Sequence, residues 1–436
     1  MDNAAFAPLR EQLMQLDILD LRAVLSSVFH LAGYHGERTI TYSNQRGPAL
    51  SVMYLADTKK GRNPKGEVRK LQPEPALSDE DIRQLQEQLT IICGPSSDLL
   101  ASFFHFSYLP VTGWWRYRDQ FQLLPPPPGA PLPSIVMADH PFLIEACYTA
   151  PDHFQARSSR RMRAMNQLRV LLPVLLRGPI YEPHTERSVK HWVLPVHAGQ
   201  RPTARTRERM SHLSGLPARR RTRRSPQFTT QAPIFAQEYY EVAGRLIGGP
   251  RLSDIENVPA MTVVDDHDAY YRSSGIRADD ALEVPAVLTQ LFDNFFALSE
   301  NEARRYVRAC YWHNMGRFFH PYSGSASFFA DVAAIEVMLP GGDGPHDCSV
   351  CGLPHYPSIS KEFRAFLTKY VPDKPDRETF YEMRSKIAHG SSLLQYDMRD
   401  ELGGFFPGEL EQYEQRNRLR QASKIALVNW LLARSG

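Results

Sequence analysis

The stretch Phe380-Tyr381-Glu382-Met383-Arg384-Ser385-Lys386-Ile387-Ala388-His389-Gly390 decides the predicted fold of the C-terminal half. Its apolar side chains at Phe380, Met383 and Ile387 recur at helical spacing, and a helix-stopping glycine follows them. The same stretch holds an arginine and a histidine five positions apart. Arginine offers a fixed positive charge with forked donors that suit phosphate, and histidine transfers protons near neutral pH.

Amphipathic patterns surround this stretch on both sides. From residue 284 onward the sequence predicts helices only, and glycine, proline or polar residues separate them. The further apolar stripes lie at 287–296, 303–318, 328–339, 363–370 and 419–430. Consecutive amphipathic helices with short joins predict a helical bundle over residues 284–436.

The first 195 residues combine helical and strand patterns. Ser78 precedes three acidic residues and predicts the start of a helix. Residues 49–55 predict a strand, and the alternating apolar residues of 115–123 predict one half-buried strand. The predicted fold class is therefore α+β, with a mixed α/β domain of unknown role at 1–195 and an all-α bundle at 284–436. Residues 196–233 predict an arginine-rich linker or loop, and 234–283 a connecting segment.

The composition narrows the class of protein. A chain of 436 residues predicts two or three domains, and 42% hydrophobic with 23% charged residues is typical of a globular protein. The sequence contains neither a long apolar run nor a secretory leader pattern, which argues against a membrane partner. Five scattered cysteines favour a reducing cytoplasm over a disulfide framework.

Residues 284–436 resemble the Apea-like branch of the HEPN superfamily. The resemblance is carried by the Arg384 and His389 motif, the preceding Phe380-Tyr381-Glu382-Met383, the Gly390 stop, and the upstream segment that ends Ala334-Ile335-Glu336-Val337-Met338-Leu339. It implies a HEPN helical bundle that pairs as a homodimer, with two copies of the motif facing each other. It also implies a metal-independent endoribonuclease of the kind found in toxins and anti-phage defence, although other members only bind.

The residue types suit cleavage of RNA by its own 2′-hydroxyl. His389 can act as base or acid, Arg384 can hold the phosphate, and Ser385 is the polar residue that follows the arginine. Glu336 lies at the edge of an apolar stripe, where it either orients Arg384 or is a surface glutamate. Helix ends also carry Arg and His for capping alone. Five residues turn a helix by about 140° beyond one full turn, so one copy does not aim both side chains at one point.

The arginine-rich linker is the candidate surface for RNA. Its densest part holds Arg219, Arg220, Arg221, Arg223 and Arg224. Clustered arginines neutralise phosphates, which favours RNA as the partner. The alternative is a solvated linker.

A cysteine–histidine loop is the candidate metal site. His346, Cys348, Cys351 and His355 offer four zinc ligands within ten residues. Structural zinc sites usually take their second pair of ligands from a distant segment, and no second Cys-x-x-Cys exists here. The alternative is therefore a loop whose cysteines are free. Catalysis by arginine and histidine would require no cofactor.

Two functions follow as hypotheses. The first is a cytoplasmic, metal-independent endoribonuclease, with an unknown regulator acting through the N-terminal domain. The alternative is a non-catalytic HEPN module that dimerises and binds nucleic acid or protein.

Overall fold

The structure is a computed structural model. It describes residues 6–16, 18–35, 39–55, 67–125, 140–178, 180–181, 194–195, 233–234, 252, 254–255, 257–273, 280–320, 322–339, 346–347, 354–355, 358–371, 377–390, 393–394, 397 and 407–434. Two compact units interleave along the chain. The first comprises 1–101, 146–165 and 249–252, and the second comprises 102–145, 166–248 and 253–436.

The first unit packs helices against a four-stranded antiparallel sheet. Its helices are α1 (Phe6–Gln15), α2 (Ile18–Val28) and α3 (Asp79–Cys93), and its strands are β1 (His30–His35), β2 (Thr39–Asn44), β3 (Gly47–Leu55) and β4 (Glu67–Pro73). The strands pair in chain order as a meander. Ser78 caps α3 through a capping box with Asp81, which confirms the helix start predicted from the sequence.

A five-stranded sheet follows along the chain. Its strands are β5 (Ser96–Ser107), β6 (Trp115–Tyr117), β7 (Phe121–Leu124), β8 (His140–Pro151) and β9 (Ile180–Tyr181), in the order β6-β7-β8-β5-β9. The chain passes from one unit to the other within β5, within β8 and within the next helix, α4 (Phe154–Leu175). The prediction of one strand over 115–123 is wrong. Arg118 adopts a positive φ of 48°, so β6 turns back on β7 as a hairpin.

The C-terminal part of the second unit is helical. The helices are α5 (His267–Arg272), α6 (Leu288–Ala297), α7 (Glu300–Phe319), α8 (Gly324–Met338), α9 (Ile359–Tyr370), α10 (Arg377–Ala388) and α11 (Pro407–Leu432). The remaining strands are the two-residue pairs β10 (Leu194–Pro195) with β11 (Pro233–Ile234), β12 (Val263–Val264) with β13 (Val284–Pro285), and β14 (His346–Asp347) with β15 (Pro354–His355). The α+β fold class is confirmed. Among the described residues from 284 onward, the expectation of helices alone is wrong for β13 and for the pair β14–β15.

Helices α7, α8 and α11 form the centre of the helical region. Tyr306 on α7 is fully buried, and its ring stacks on Trp430 of α11 with centroids 5.6 Å apart. Helix α10 packs on α8, where the buried Phe380 meets the ring of Phe328 at 6.5 Å. This contact fixes the motif helix against the bundle. No helix in the described part of the chain is long and apolar enough to cross a bilayer. The domain boundaries at 195 and 284 stay predictions.

Candidate functional site

Helix α10 carries the arginine–histidine motif and ends just before His389. The Gly390 N–H donates to the Ile387 carbonyl at 3.1 Å, and Gly390 adopts a φ of +67°. A glycine in the left-handed region is the usual stop of a helix, because it lacks the Cβ that other residues would strain. The stop therefore fixes where His389 stands.

Arg384 is held by Glu336 of α8. The Nε and Oε1 atoms of this ion pair lie 3.0 Å apart, and Nη2 donates to Oε2 at 3.2 Å. The guanidinium also lies over the rings of Phe329 and Tyr381, at 5.9 and 5.8 Å from their centroids. The side chains of Arg384 and Glu336 are 22% and 20% exposed, although the facing Nε and Oε1 atoms are themselves buried. The structure thus brings the predicted arginine and its predicted carboxylate partner together.

His389 lies in a different environment. It is exposed, and its backbone N–H donates to the Ser385 carbonyl at 3.0 Å. Within the described ranges, no hydrogen bond or ion pair engages its imidazole. Ser385 is half-buried on α10. Arg384 therefore turns toward α8, whereas His389 remains available to solvent and to a ligand.

A buried polar cluster lies between α7, α8 and α11, and the sequence patterns did not reveal it. Asp331 is fully buried and accepts a hydrogen bond from Arg420 Nη1 at 3.1 Å. The same nitrogen donates to the His313 carbonyl at 3.0 Å. His313 Nδ1 lies 3.2 Å from the Ser423 hydroxyl and 3.4 Å from Asp331 Oδ1.

Burial sets the protonation of this cluster. It raises the pKa of Asp331 to about 6, against the opposing charge of Arg420. It also lowers the pKa of His313 well below its usual value, and the nearby charges of Arg420 and Lys424 lower it further. Because His313 and Asp331 are almost completely shielded from solvent, the cluster can join the helices but cannot meet a substrate. Its sequence signal is the spacing of Arg416, Arg420 and Lys424 on one face of α11.

Lys424 is the second unexpected group. Its Nζ donates to the Leu176 carbonyl at 2.5 Å and lies 5.9 Å from the centre of the Tyr271 ring. Burial, together with the positive charges of Arg317 and Arg420, lowers the pKa of Lys424 to about 7. This lysine therefore titrates near neutral pH inside the helical region.

The zinc hypothesis remains a prediction. Cys348 and Cys351 lie outside the described residues, while the backbones of His346 and His355 pair across the ladder of β14 and β15. That ladder brings together the two ends of the loop that carries both cysteines. Across the described ranges, no three His, Cys, Asp or Glu side chains gather as a candidate metal site.

The predicted RNA-binding arginines at 219–224 also lie outside the described residues, so their role stays a prediction. No family model matches this chain, and neither a curated protein nor a solved structure matches it. Membership of the HEPN superfamily likewise stays a prediction.

Proposed function

We propose that the C-terminal helical region is a metal-independent endoribonuclease of the HEPN type. The observation that carries this proposal is the ion pair between Arg384 of α10 and Glu336 of α8. His389 is exposed just beyond the C-terminal end of the same helix α10. A guanidinium held in place by a carboxylate and two rings is oriented before a phosphate arrives. An exposed imidazole five residues later supplies the proton transfer.

The proposed reaction uses the 2′-hydroxyl of RNA as the nucleophile. One His389 takes the 2′-hydroxyl proton while the 2′-oxygen forms a bond to phosphorus. The bond from phosphorus to the 5′-oxygen breaks, and the leaving oxygen takes a proton from the same His389, which the 2′-hydroxyl has just protonated. Arg384 stabilises the charge that develops on the non-bridging oxygens. The products are a 2′,3′-cyclic phosphate and a 5′-hydroxyl end.

The test is cleavage of RNA by the purified chain in the presence of a metal chelator. Arg384→Ala and His389→Ala should each lower the rate by a factor of about 100 or more, because each removes the charge or the proton donor of the transition state. Their circular dichroism spectra should match that of the wild type. Arg364→Ala and His30→Ala remove an arginine from α9 and an exposed histidine from β1, and they should keep full activity. Full activity in both motif variants would make the motif structural.

The alternative is a non-catalytic module that dimerises and binds nucleic acid or protein. The observation that favours it is the ion pair itself, because Glu336 already neutralises Arg384. This alternative predicts salt-dependent RNA binding without turnover. Charge reversal at Arg219, Arg220 and Arg221 should weaken that binding, whereas Arg384→Ala should leave it unchanged. Cleavage of RNA by the wild type would exclude this alternative.

A further inference from the structure

Helix α7 carries a second stripe on its outer side, which we call the α7 seam. The stripe consists of Arg304, Arg308, Tyr311, Met315, Phe318 and, just after the helix, Tyr322. Tyr311, Phe318 and Tyr322 are 47%, 46% and 65% exposed. The rings of Phe318 and Tyr322 lie against each other with centroids 6.0 Å apart. Exposed rings in such a row are unusual for a surface that meets only water.

The opposite side of α7 already fills the core. Tyr306, Cys310, His313 and Gly316 are all buried there. At 100° per residue the five members of the α7 seam that lie within the helix span an arc of about 80°, centred opposite this buried side. Helix α7 is therefore apolar on two faces, and only one of them packs against described helices of its own chain.

Within α7 the spacing of the seam alternates between four and three residues from Arg304 to Phe318, and Tyr322 follows after the helix has ended at Phe319. This is the a and d spacing of a coiled coil, which fits the side chains of one helix between those of another. The two ends of the seam differ in chemistry, with arginines at the N-terminal end and aromatic rings at the C-terminal end. Arg308 has a buried Nε that finds no hydrogen-bond partner within the described residues. Arg304 pairs with Glu300 on the same helix.

We propose that the α7 seam is an interface with a second copy of this chain, in which the two α7 helices run antiparallel across a two-fold axis. The pairing would place Arg308 against Phe318 and Tyr311 against Met315 of the other copy, with Arg304 near the turn that carries Tyr322 of the other copy. Each layer then joins an a position to a d position, as antiparallel coiled coils require. Both end layers set a guanidinium against an aromatic ring, which is a favourable cation–π arrangement. A parallel pairing would set arginine against arginine.

Self-complementarity is the argument for a second copy over RNA. A nucleic acid could also bind rings and cations here, but its binding does not require the arginine end of the stripe to complement the aromatic end. A two-fold axis does require this, because the same surface supplies both halves of the interface. Six side chains cover less than the roughly 800 Å² per partner of a standard interface, so the association is concentration-dependent. The proposal rests on α7 alone and is independent of RNA cleavage.

The test is the molar mass of the full chain, measured by sedimentation over a concentration series. Phe318→Arg sets like charges against Arg308 in two layers and should weaken association at least tenfold, so that the mass falls to half. The double variant Arg308→Phe/Phe318→Arg exchanges the members of each layer and should recover the wild-type mass. Phe154→Arg changes a phenylalanine that is 85% exposed on α4 and should have no effect.

Three results would overturn the proposal. The first is a wild type that stays monomeric at every concentration, and the second is a mass that Phe318→Arg leaves unchanged. The third is a double variant that fails to recover association, because the register predicts recovery. If the chain is monomeric and binds RNA, and Phe318→Arg abolishes that binding, the α7 seam is a surface for RNA instead.

Discussion

Lys424 links the stability of the helical region to pH. Its pKa falls from the usual 10.5 to about 7 on folding, so between these values the unfolded chain binds a proton that the folded chain does not. The free energy of unfolding therefore rises with pH across this window. We expect Lys424 to contribute an increase of about 2 kcal/mol between pH 7 and pH 9, and Lys424→Met to remove it. Chemical denaturation at the two pH values measures the difference.

The matched control for Lys424 is Lys369. It is exposed on α9 and lies 5.2 Å from the Tyr370 ring, so it shares the aromatic contact without the burial. Lys369→Met should keep the wild-type pH dependence. An unchanged pH dependence in Lys424→Met would show that Lys424 stays charged in the folded chain.

The sequence predicts the ion-pair partners of some residues but not of others. Glu336 could be anticipated as a partner of Arg384, because a carboxylate at the edge of an apolar stripe needs a cation. The partner of Asp331 could not be anticipated. Asp331 interrupts the apolar stripe of α8, and this local pattern does not indicate which residue it pairs with. Its partner Arg420 lies 89 residues away. Local periodicity shows that a residue is buried, but a distant ion pair depends on how the helices meet.

Helices α7 and α8 approach each other at Gly316. A Cβ added at Gly316 would lie 2.7 Å from Asp331 Oδ1, and Arg420 and His313 hold that carboxylate in place. Gly316→Ala should therefore destabilise the chain by about 1–3 kcal/mol, although alanine is the better helix former. The midpoint of urea denaturation measures this effect. A gain in stability would mean that Asp331 moves aside at little cost.

Whole elements were predictable where one face is apolar and the other polar. Helix α3 has its cap, its acidic first turn and one buried side, and the sequence located its start. Helix α7 was harder, because Tyr311 and Phe318 joined the predicted core stripe yet are exposed. A helix that is apolar on two sides has no single stripe to find. The β6–β7 hairpin was missed because Arg118 adopts a positive φ without a glycine.

At the scale of the whole molecule, the sequence predicts the fold class but not the path of the chain between the two units. The two units share the sequence in alternating pieces, because the chain passes between them within β5, β8 and α4. The hydrogen bond from Lys424 to Leu176 joins residues 248 positions apart. No composition shift marks such contacts. The α+β class follows from local patterns, whereas the partners within the helical region follow from packing.

The proposed site is divided between two copies, and mixing inactive variants tests this division. Arg384 turns toward Glu336 while His389 is exposed, and a helix turns by about 140° beyond one full turn over five residues. We therefore expect Arg384 of one copy to act with His389 of the other. An equal mixture of Arg384→Ala and His389→Ala chains forms half mixed dimers, each with one complete site. RNA cleavage should then return to roughly a quarter of the wild-type rate. Each variant incubated alone under the same subunit exchange is the control. A mixture as inactive as its components would place both residues of a site in one copy, which requires α10 to unwind near Gly390.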